Sequence, residues 1–282
     1  MRGTEKRSFA SRSHFAQTWN PLAMHDARGR FDIVGDVHGC LEELLALLDA
    51  MSYRVSRQRD EFAVAPPRGR TLAFTGDLVD RGPAAPEVLR LVMGMARAGT
   101  ALCVAGNRDL ELVRAMTGGV MQVSRGMART LEQLAREPRE FRAEVAHFVH
   151  GLPTHLLLDS GRLVIAHAGL KEDLQGRSTP EARAFALHGE LTGERDATGF
   201  PIRKNWAKGY RGKALVVHGH TPVSEPMWLN NTVNIDTGCA YGGHLTALRY
   251  PERETLSIPA QEIYYPPRRP FPPNHTLSRM RK

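Results

Sequence analysis

FDIVGDVHGC, residues 31–40, sets the reading of the whole chain. Phe31-Asp32-Ile33-Val34 has the short, largely apolar composition of a buried strand. Gly35 then breaks it, and Asp36 and His38 follow with Gly39 behind them. Leu41 to Met51 has helical periodicity, so the two ligand-type side chains fall on the loop between a strand and a helix. Glycines beside them let the backbone turn sharply and approach a bound ion.

The same grammar recurs four times further along. AFTGDLVDRG carries Asp77, Asp80 and Arg81, CVAGNRD carries Asn107 and Arg108, VIAHAG carries His167, and VVHGHTP carries His220. One aspartate after a strand-ending glycine is usually a turn former or helix cap, and one histidine is usually structural. Five such segments in the same strand-end context would require five independent coincidences. Together they supply two aspartates, an asparagine and three histidines. This mixture of hard oxygen and imidazole donors suits Mn, Fe, Zn or Ni better than Ca. It is enough for two ions sharing one carboxylate, about 3.5–4 Å apart, activating a water and clamping a phosphate.

The chain has 282 residues, long enough for one large α/β domain or two small ones. Strand–helix alternation holds through about residue 116. After the helical stretch 129–150 come hairpins, HLLLD with RLVIAH and LTALRY with TLSIPA, so a mixed sheet with helices on its faces is expected. Residues 171–213 are a long polar interruption between strands, of the kind that is often functional. We divide the chain into a basic extension (1–30), a central domain (31–260) and a Pro/Arg-rich tail (261–282).

The net charge of +8 invites a nucleic-acid reading, but it sits in the ends. Residues 1–30 carry +4 and residues 267–282 carry +5, which leaves the remainder at −1. The basicity therefore belongs to the tails, read first as solvated and mobile with RNA contact as the alternative, and the total charge does not demonstrate a basic groove. No apolar run approaches the ~20 residues that span a bilayer. The opening residues lack the apolar core of a signal peptide, so a cytoplasmic location is expected. Cys40, Cys103 and Cys239 are odd in number and far apart, without a CxxC pair. That spacing argues against a disulfide framework and against a cysteine-based zinc site.

The ordered set GDVHG, GDLVDRG, GN-x-D, HAG and GHTP resembles the signature of the calcineurin-like metallophosphoesterases. Within them it resembles the branch of serine/threonine protein phosphatases and diadenosine tetraphosphate hydrolases. FALHGELTGE, NIDTGCAYGGHLTALRYPE and YYPPRRP add a resemblance to the phosphatase module of bacterial polynucleotide kinase–phosphatase. No GxxxxGK[ST] loop is present, so the kinase half is absent.

The resemblance implies a four-layer α/β/β/α sandwich with mixed sheets and two divalent transition-metal ions, Mn first. Asp36 and His38 would hold the first ion, Asp77 would bridge both, and Asn107, His167 and His220 would hold the second. Asp236, in NIDTG, would be a supporting acid. Arg81 would bind phosphate oxygens with its planar fork, and Asp80 would orient the residue after Asn107. In the family that residue is a histidine that orients or protonates the leaving group. Here it is Arg108, which keeps charge and donors but cannot release a proton near neutral pH. His188 and His218 are alternative proton donors. Trp206, Tyr210 and Arg211 are candidates for stacking on a base and holding a phosphate.

The expected reaction is hydrolysis of phosphomonoesters on nucleotides or RNA ends by attack of a metal-bound hydroxide. A diadenosine polyphosphate hydrolase is the first alternative: its anhydride leaving group suits Arg108, while the second aspartate of GDLVDRG counts against it. A serine/threonine protein phosphatase and a metal-retaining binding protein with weak turnover are the others.

Overall fold

The computed structural model describes residues 29–267 except 120, 121, 197, 198 and 200. Most of the basic N-terminal extension and the tail from residue 268 lie outside the described residues. Two five-stranded sheets form the centre. The first is built from β1 (Arg30–Val34), β4 (Arg70–Phe74), β5 (Ala101–Cys103), β13 (His244–Tyr250) and β14 (Glu254–Pro259), in the order β14-β13-β1-β4-β5. The second is built from β6 (His155–Leu158), β7 (Leu163–Ala166), β10 (Leu215–His218), β11 (Met227–Leu229) and β12 (Thr232–Asn234), in the order β11-β12-β10-β7-β6. In each sheet three neighbouring strands are parallel (β1, β4, β5 and β7, β10, β12); the first adds antiparallel β13 and β14 beside β1, and the second antiparallel β6 and β11 at its two edges.

Alternation along each strand assigns one face to each core, as the period of 2 requires. Phe31 and Ile33 of β1, Leu163 and Ile165 of β7, and Leu215 and Val217 of β10 meet in the layer between the sheets. Val34, Leu72, Phe74 and Cys103 face outward instead. There α1 (Leu41–Ala50) covers them with Leu41, Leu44, Leu47 and Leu48, and α2 (Ala85–Arg97) with Val88, Leu89 and Val92. Helices α3 (Asn107–Met116), α4 (Arg125–Ala135) and α5 (Arg139–Gly151) extend that layer. Val164, Ala166 and Val216 face a third core, closed by Ala182, Phe185 and Ala186 of α6 (Pro180–His188). The result is the expected α/β/β/α order. No described helix is long and apolar enough to cross a membrane.

Three features refine this outline. Residues 171–213 are not simply a polar interruption, since α6 lies within them, followed by a hairpin of β8 (Leu191–Arg195) and β9 (Pro201–Arg203). An exposed hairpin of β2 (Arg54–Gln58) and β3 (Glu61–Ala65) also joins α1 to β4. The packed body continues past residue 260: the Tyr265 amide donates to the Ala240 carbonyl at 2.9 Å and the Tyr264 hydroxyl to Glu43 at 2.8 Å.

Candidate metal and phosphate site

Six loops converge at the carboxyl edges of the parallel strands, where open α/β sheets place their ligands. The loops after β1, β4 and β5 bring Asp36, His38, Asp77, Asp80, Arg81, Asn107 and Arg108. Those after β7, β10 and β12 bring His167, His220 and Asp236 across from the second sheet. The first two loops are laced together by backbone bonds, His38 N–H to Asp77 O at 2.8 Å and Gly82 N–H to His38 O at 2.9 Å. Two glycines are sterically required. A Cβ on Gly106 would collide with the backbone and carboxylate of Asp77, and one on Gly219 with the Asp36 carboxylate. Among the described residues, five of the eleven non-glycine residues at positive φ are His38, Asp77, Asp80, Arg81 and His220. Strained backbone is thus concentrated at this edge, which is a common property of functional sites.

The donors form two groups with one shared member: Asp36, His38 and Asp77, then Asp77, His167 and His220. His38 faces its Nδ1 to the Val79 carbonyl at 2.8 Å, and His167 its Nδ1 to the Thr75 carbonyl at 3.1 Å. With both Nδ1 hydrogens so used, each ring turns a lone pair on Nε2 inward. His167 Nε2 meets Asn107 Oδ1 at 3.0 Å, Asp77 Oδ1 at 3.4 Å and His220 Nδ1 at 2.9 Å. These neighbours are acceptors, or in His220 a ring nitrogen that must be protonated to donate. His220 Nε2 and Asp236 Oδ2 are buried without a hydrogen-bond partner. Lone pairs converging with too few hydrogens is the environment a cation satisfies, and the donor chemistry fits two divalent ions.

The electrostatics agree. Burial, then the carboxylates of Asp236 and Asp77, push Asp36 well above the usual carboxylate range. Burial likewise pushes Asp236 up to about 6. Asp77 is pushed up by burial but ends below its ordinary value, because His167, His38, Arg108 and Arg81 surround it. His38, His167 and His220 are all held below the normal imidazole range, chiefly by burial. Neutral imidazole is the metal-binding form.

Asp80 is buried between two guanidiniums, Arg81 Nε at 3.6 Å and Arg108 Nε at 3.4 Å. Arg81 also contacts His38 Nε2 and lies over the Tyr241 ring, 4.9 Å from its centroid. Arg108 is held from its other side by Glu111 at 2.7 Å, three residues on along α3. Thr75 and Glu111 lie outside the residues that the motifs single out, and Asp109, the last residue of GN-x-D, has no role assigned by them. Thr75 Oγ1 donates to Asp36 at 3.1 Å, and Asp109 accepts from the amides of Leu78 and Gly106 at 2.9 and 3.0 Å.

A cleft of about 800 Å³ opens beside His220, floored by Trp206, Val223, Met227 and Leu229 and rimmed by Arg203 and Lys204. His188 stands solvent-exposed on its wall, its ring 6.4 Å from that of His220, and partial desolvation holds its pKa below the usual imidazole range. His218 is buried behind it, held at about 4 by burial. Tyr210 does not serve as a stacking surface: it is 4% exposed in the third core, its hydroxyl donating to Ala214 O at 2.9 Å. Arg211 is turned to the carbonyls of Lys208 and Tyr210. Of that trio only Trp206 reaches the cleft beside His220.

Comparison with known proteins leads the same way. The family model described as calcineurin-like phosphoesterase matches residues 29–224. Asymmetrical bis(5'-nucleosyl)-tetraphosphatase PrpE of Anoxybacillus flavithermus is 43% identical over 246 residues, covering 86% of this chain and 99% of that protein. The Bacillus subtilis protein of the same name is 40% identical over 238 residues, covering 83% and 96%. The crystal structure of a provisionally assigned diadenosine tetraphosphatase is 26% identical, with a TM-score of 0.59 over 83% of this chain and 96% of that one. A serine/threonine phosphatase from Saccharomyces cerevisiae, 13% identical with a TM-score of 0.58 over 86% and 85%, shares the fold. With strand-end motifs, two-sheet architecture and relatives in accord, the chain belongs to the calcineurin-like phosphoesterases, hydrolases of phosphoric ester bonds.

Proposed function

We propose that the protein hydrolyses dinucleoside tetraphosphates asymmetrically, to a nucleoside monophosphate and a nucleoside triphosphate. This reverses the order expected from sequence, where phosphomonoesters of nucleotides or RNA ends stood first. The observation that carries the reading is Arg108. Clamped between Asp80 and Glu111, it offers charge and N–H donors but no dissociable proton at the position the family uses for its leaving group. A polyphosphate departs as a stabilised anion and needs little protonation, whereas a ribose oxygen needs a proton as its bond to phosphorus breaks. The names of the relatives support the same substrate class.

In this reading Asp36, His38, Asp77, Asn107, His167 and His220 hold two divalent ions, for which Mn²⁺ suits the donor set. Such ions supply Lewis acidity, lowering the pKa of water and neutralising phosphate charge. Arg81 grips the oxygens of the reacting phosphate, and Asp80 fixes the Arg81 and Arg108 guanidiniums so that neither must reorganise as charge develops. Arg108 meets the departing polyphosphate. The cleft beside His220 takes one nucleoside: its volume is typical of small-molecule sites, Trp206 and Met227 offer apolar area, and Lys204 and Arg203 offer positive charge.

The test is product analysis with Mn²⁺ and a dinucleoside tetraphosphate. Equal mono- and triphosphate should form, with kcat/KM about 10²-fold or more above that for a nucleoside monophosphate, the smallest usual worth of a missing general acid. Faster release of phosphate from a phosphorylated RNA end would reinstate the phosphomonoesterase reading. Metal binding without turnover of either would make the protein a binder.

A further inference from the structure

A second group of metal-type ligands lies outside the catalytic edge. Cys40, at the N-cap of α1, Glu43, in its first turn, and Cys239, on the turn after β12, present their ligand atoms within 4.8 Å of one another. Their exposures are 0%, 1% and 1%. None of the three belongs to the donor set described above. All three cysteines are free, and Cys103 is not part of the group.

The carboxylate is what makes this more than two core thiols. Glu43 Oε1 is satisfied by the Gln261 amide and the Tyr264 hydroxyl, both at 2.8 Å. Its other oxygen, Oε2, is buried with no hydrogen-bond partner. A buried carboxylate oxygen left bare is costly, and natural folds keep one only where something compensates it. The Cys40 side chain does not cap its helix; its thiol makes a weak contact with the His38 carbonyl at 3.8 Å and meets the Cys239 thiol. Two sulfurs therefore lie within 4.8 Å of a buried carboxylate that has one oxygen left bare.

We propose that Cys40, Glu43 and Cys239 form a thiolate–carboxylate site for a zinc(II) ion, separate from the catalytic centre. Sulfur and oxygen donors together select zinc over the hard ions that carboxylates alone would hold, and three such ligands fill three of its four tetrahedral positions. On binding, each thiol releases its proton to solvent and no oxidation occurs. The ion and its three anionic ligands carry one net negative charge, set at the N-terminus of α1, where the helix dipole favours it. The ion ties α1, the Cys239 turn and the 261–264 segment into one unit. His38 lies two residues before one ligand and Asp236 three before another, so this unit buttresses the loops of the catalytic edge.

The experiment uses the full chain produced in zinc-depleted medium with cobalt(II). Thiolate ligands give cobalt a sulfur-to-metal charge-transfer band in the near ultraviolet, and the oxygen and nitrogen donors of the catalytic edge give none. We expect the band in the wild type, bleached by added Zn²⁺, lost in Cys40→Ala and Cys239→Ala, and kept in Cys103→Ala. Glu43→Gln should lower zinc retention against a chelator about tenfold or more, with the circular dichroism unchanged. Absence of the band, or its survival in Cys239→Ala, overturns the proposal. Should either alanine variant fail to fold, X-ray absorption on the wild-type cobalt protein decides: cobalt–sulfur scattering supports the site, and an environment of oxygen and nitrogen alone refutes it. The readout does not involve hydrolysis, so it stands whichever phosphate ester the enzyme cleaves.

Discussion

Arg108→His puts the proposed substrate class to its hardest test. The Nε2 of histidine lies four bonds from Cα, as does the Nε of arginine, so the imidazole reaches the place where Arg108 Nε stands 3.4 Å from Asp80. Asp80 can then orient a group that donates a proton. General acid assistance is worth about 10²- to 10⁴-fold where the leaving group needs it. On a nucleoside monophosphate, whose leaving group is a ribose oxygen, kcat/KM should rise by at least ~10-fold, allowing for imperfect placement of the new ring. On a dinucleoside tetraphosphate it should fall, because a full cation is exchanged for a partly protonated one. The monophosphate reaction should also gain a descending limb as pH rises past the imidazole pKa of about 6.5. Arg108→Ala separates charge from proton transfer: both reactions should lose about 10²-fold, the usual worth of one preorganised donor. The assay is the ratio of kcat/KM for the two substrates across wild type, His and Ala. A ratio unchanged in Arg108→His would refute the claim that a missing proton sets the substrate preference.

Asp77→Asn should remain folded by circular dichroism, since an amide oxygen still accepts from the Arg108 amide, now at 2.9 Å. It should nevertheless lose ~10- to 100-fold or more in affinity at both ions, read by metal analysis, because it is the side chain common to both groups. Retention of two tight ions would break the shared-ligand assignment. Gly219→Ala should destabilise by about 1–3 kcal/mol through overlap with Asp36, lowering the melting temperature by several degrees and the metal content with it. Unchanged melting and metal content would show that the two loops are not in close contact. Removal of residues 267–282 should leave dinucleotide turnover intact and weaken any binding of single-stranded RNA. If the five Lys/Arg of that segment carry such binding, log K should fall against log salt with a slope near −3.5, from about −0.7 per phosphate neutralised. A salt-insensitive affinity, or loss of turnover, would contradict this.

The candidate ligands were legible in the sequence because each lies within four residues of a strand end, with a glycine no more than two positions away. Such local patterns survive without knowledge of the fold. What stayed hidden depends on distant packing. Tyr210, in a stretch that reads as polar loop, is the lid of a core whose other wall is α6. Asp32, inside an apolar strand, is buried because Arg70 reaches it at 2.7 Å from the neighbouring strand and the Tyr53 hydroxyl at 3.0 Å. Glu111 could have been paired with Arg108 by helical i,i+3 spacing. The clue becomes visible once α3 is seen to begin at Asn107, inside the motif itself. Cysteine counting sees only spacing: Cys40 and Cys239 are remote in the chain, and meet because β13 returns to lie beside β1.

The two sheets and the catalytic edge stand in opposition energetically. The edge buries Asp36, Asp77 and Asp236 near one another, leaves polar atoms unpaired, and holds five side-chain-bearing residues at positive φ. Each such feature costs on the order of 1–3 kcal/mol. The layer between the sheets offsets this with Ile33, Ile165, Val217, Val233 and Ile235, all fully buried, each contributing about 1.5–3 kcal/mol on burial. Those residues do more than stabilise, because the donors come from both sheets and their separation is set by how that layer packs. Cations bound at the edge attach to the folded arrangement alone, and so shift the folding equilibrium toward the very spacing they require. The edge is assembled badly for a protein by itself and well for a protein with divalent ions, and a site of that kind explains why strain, buried acid and neutral imidazole occur together.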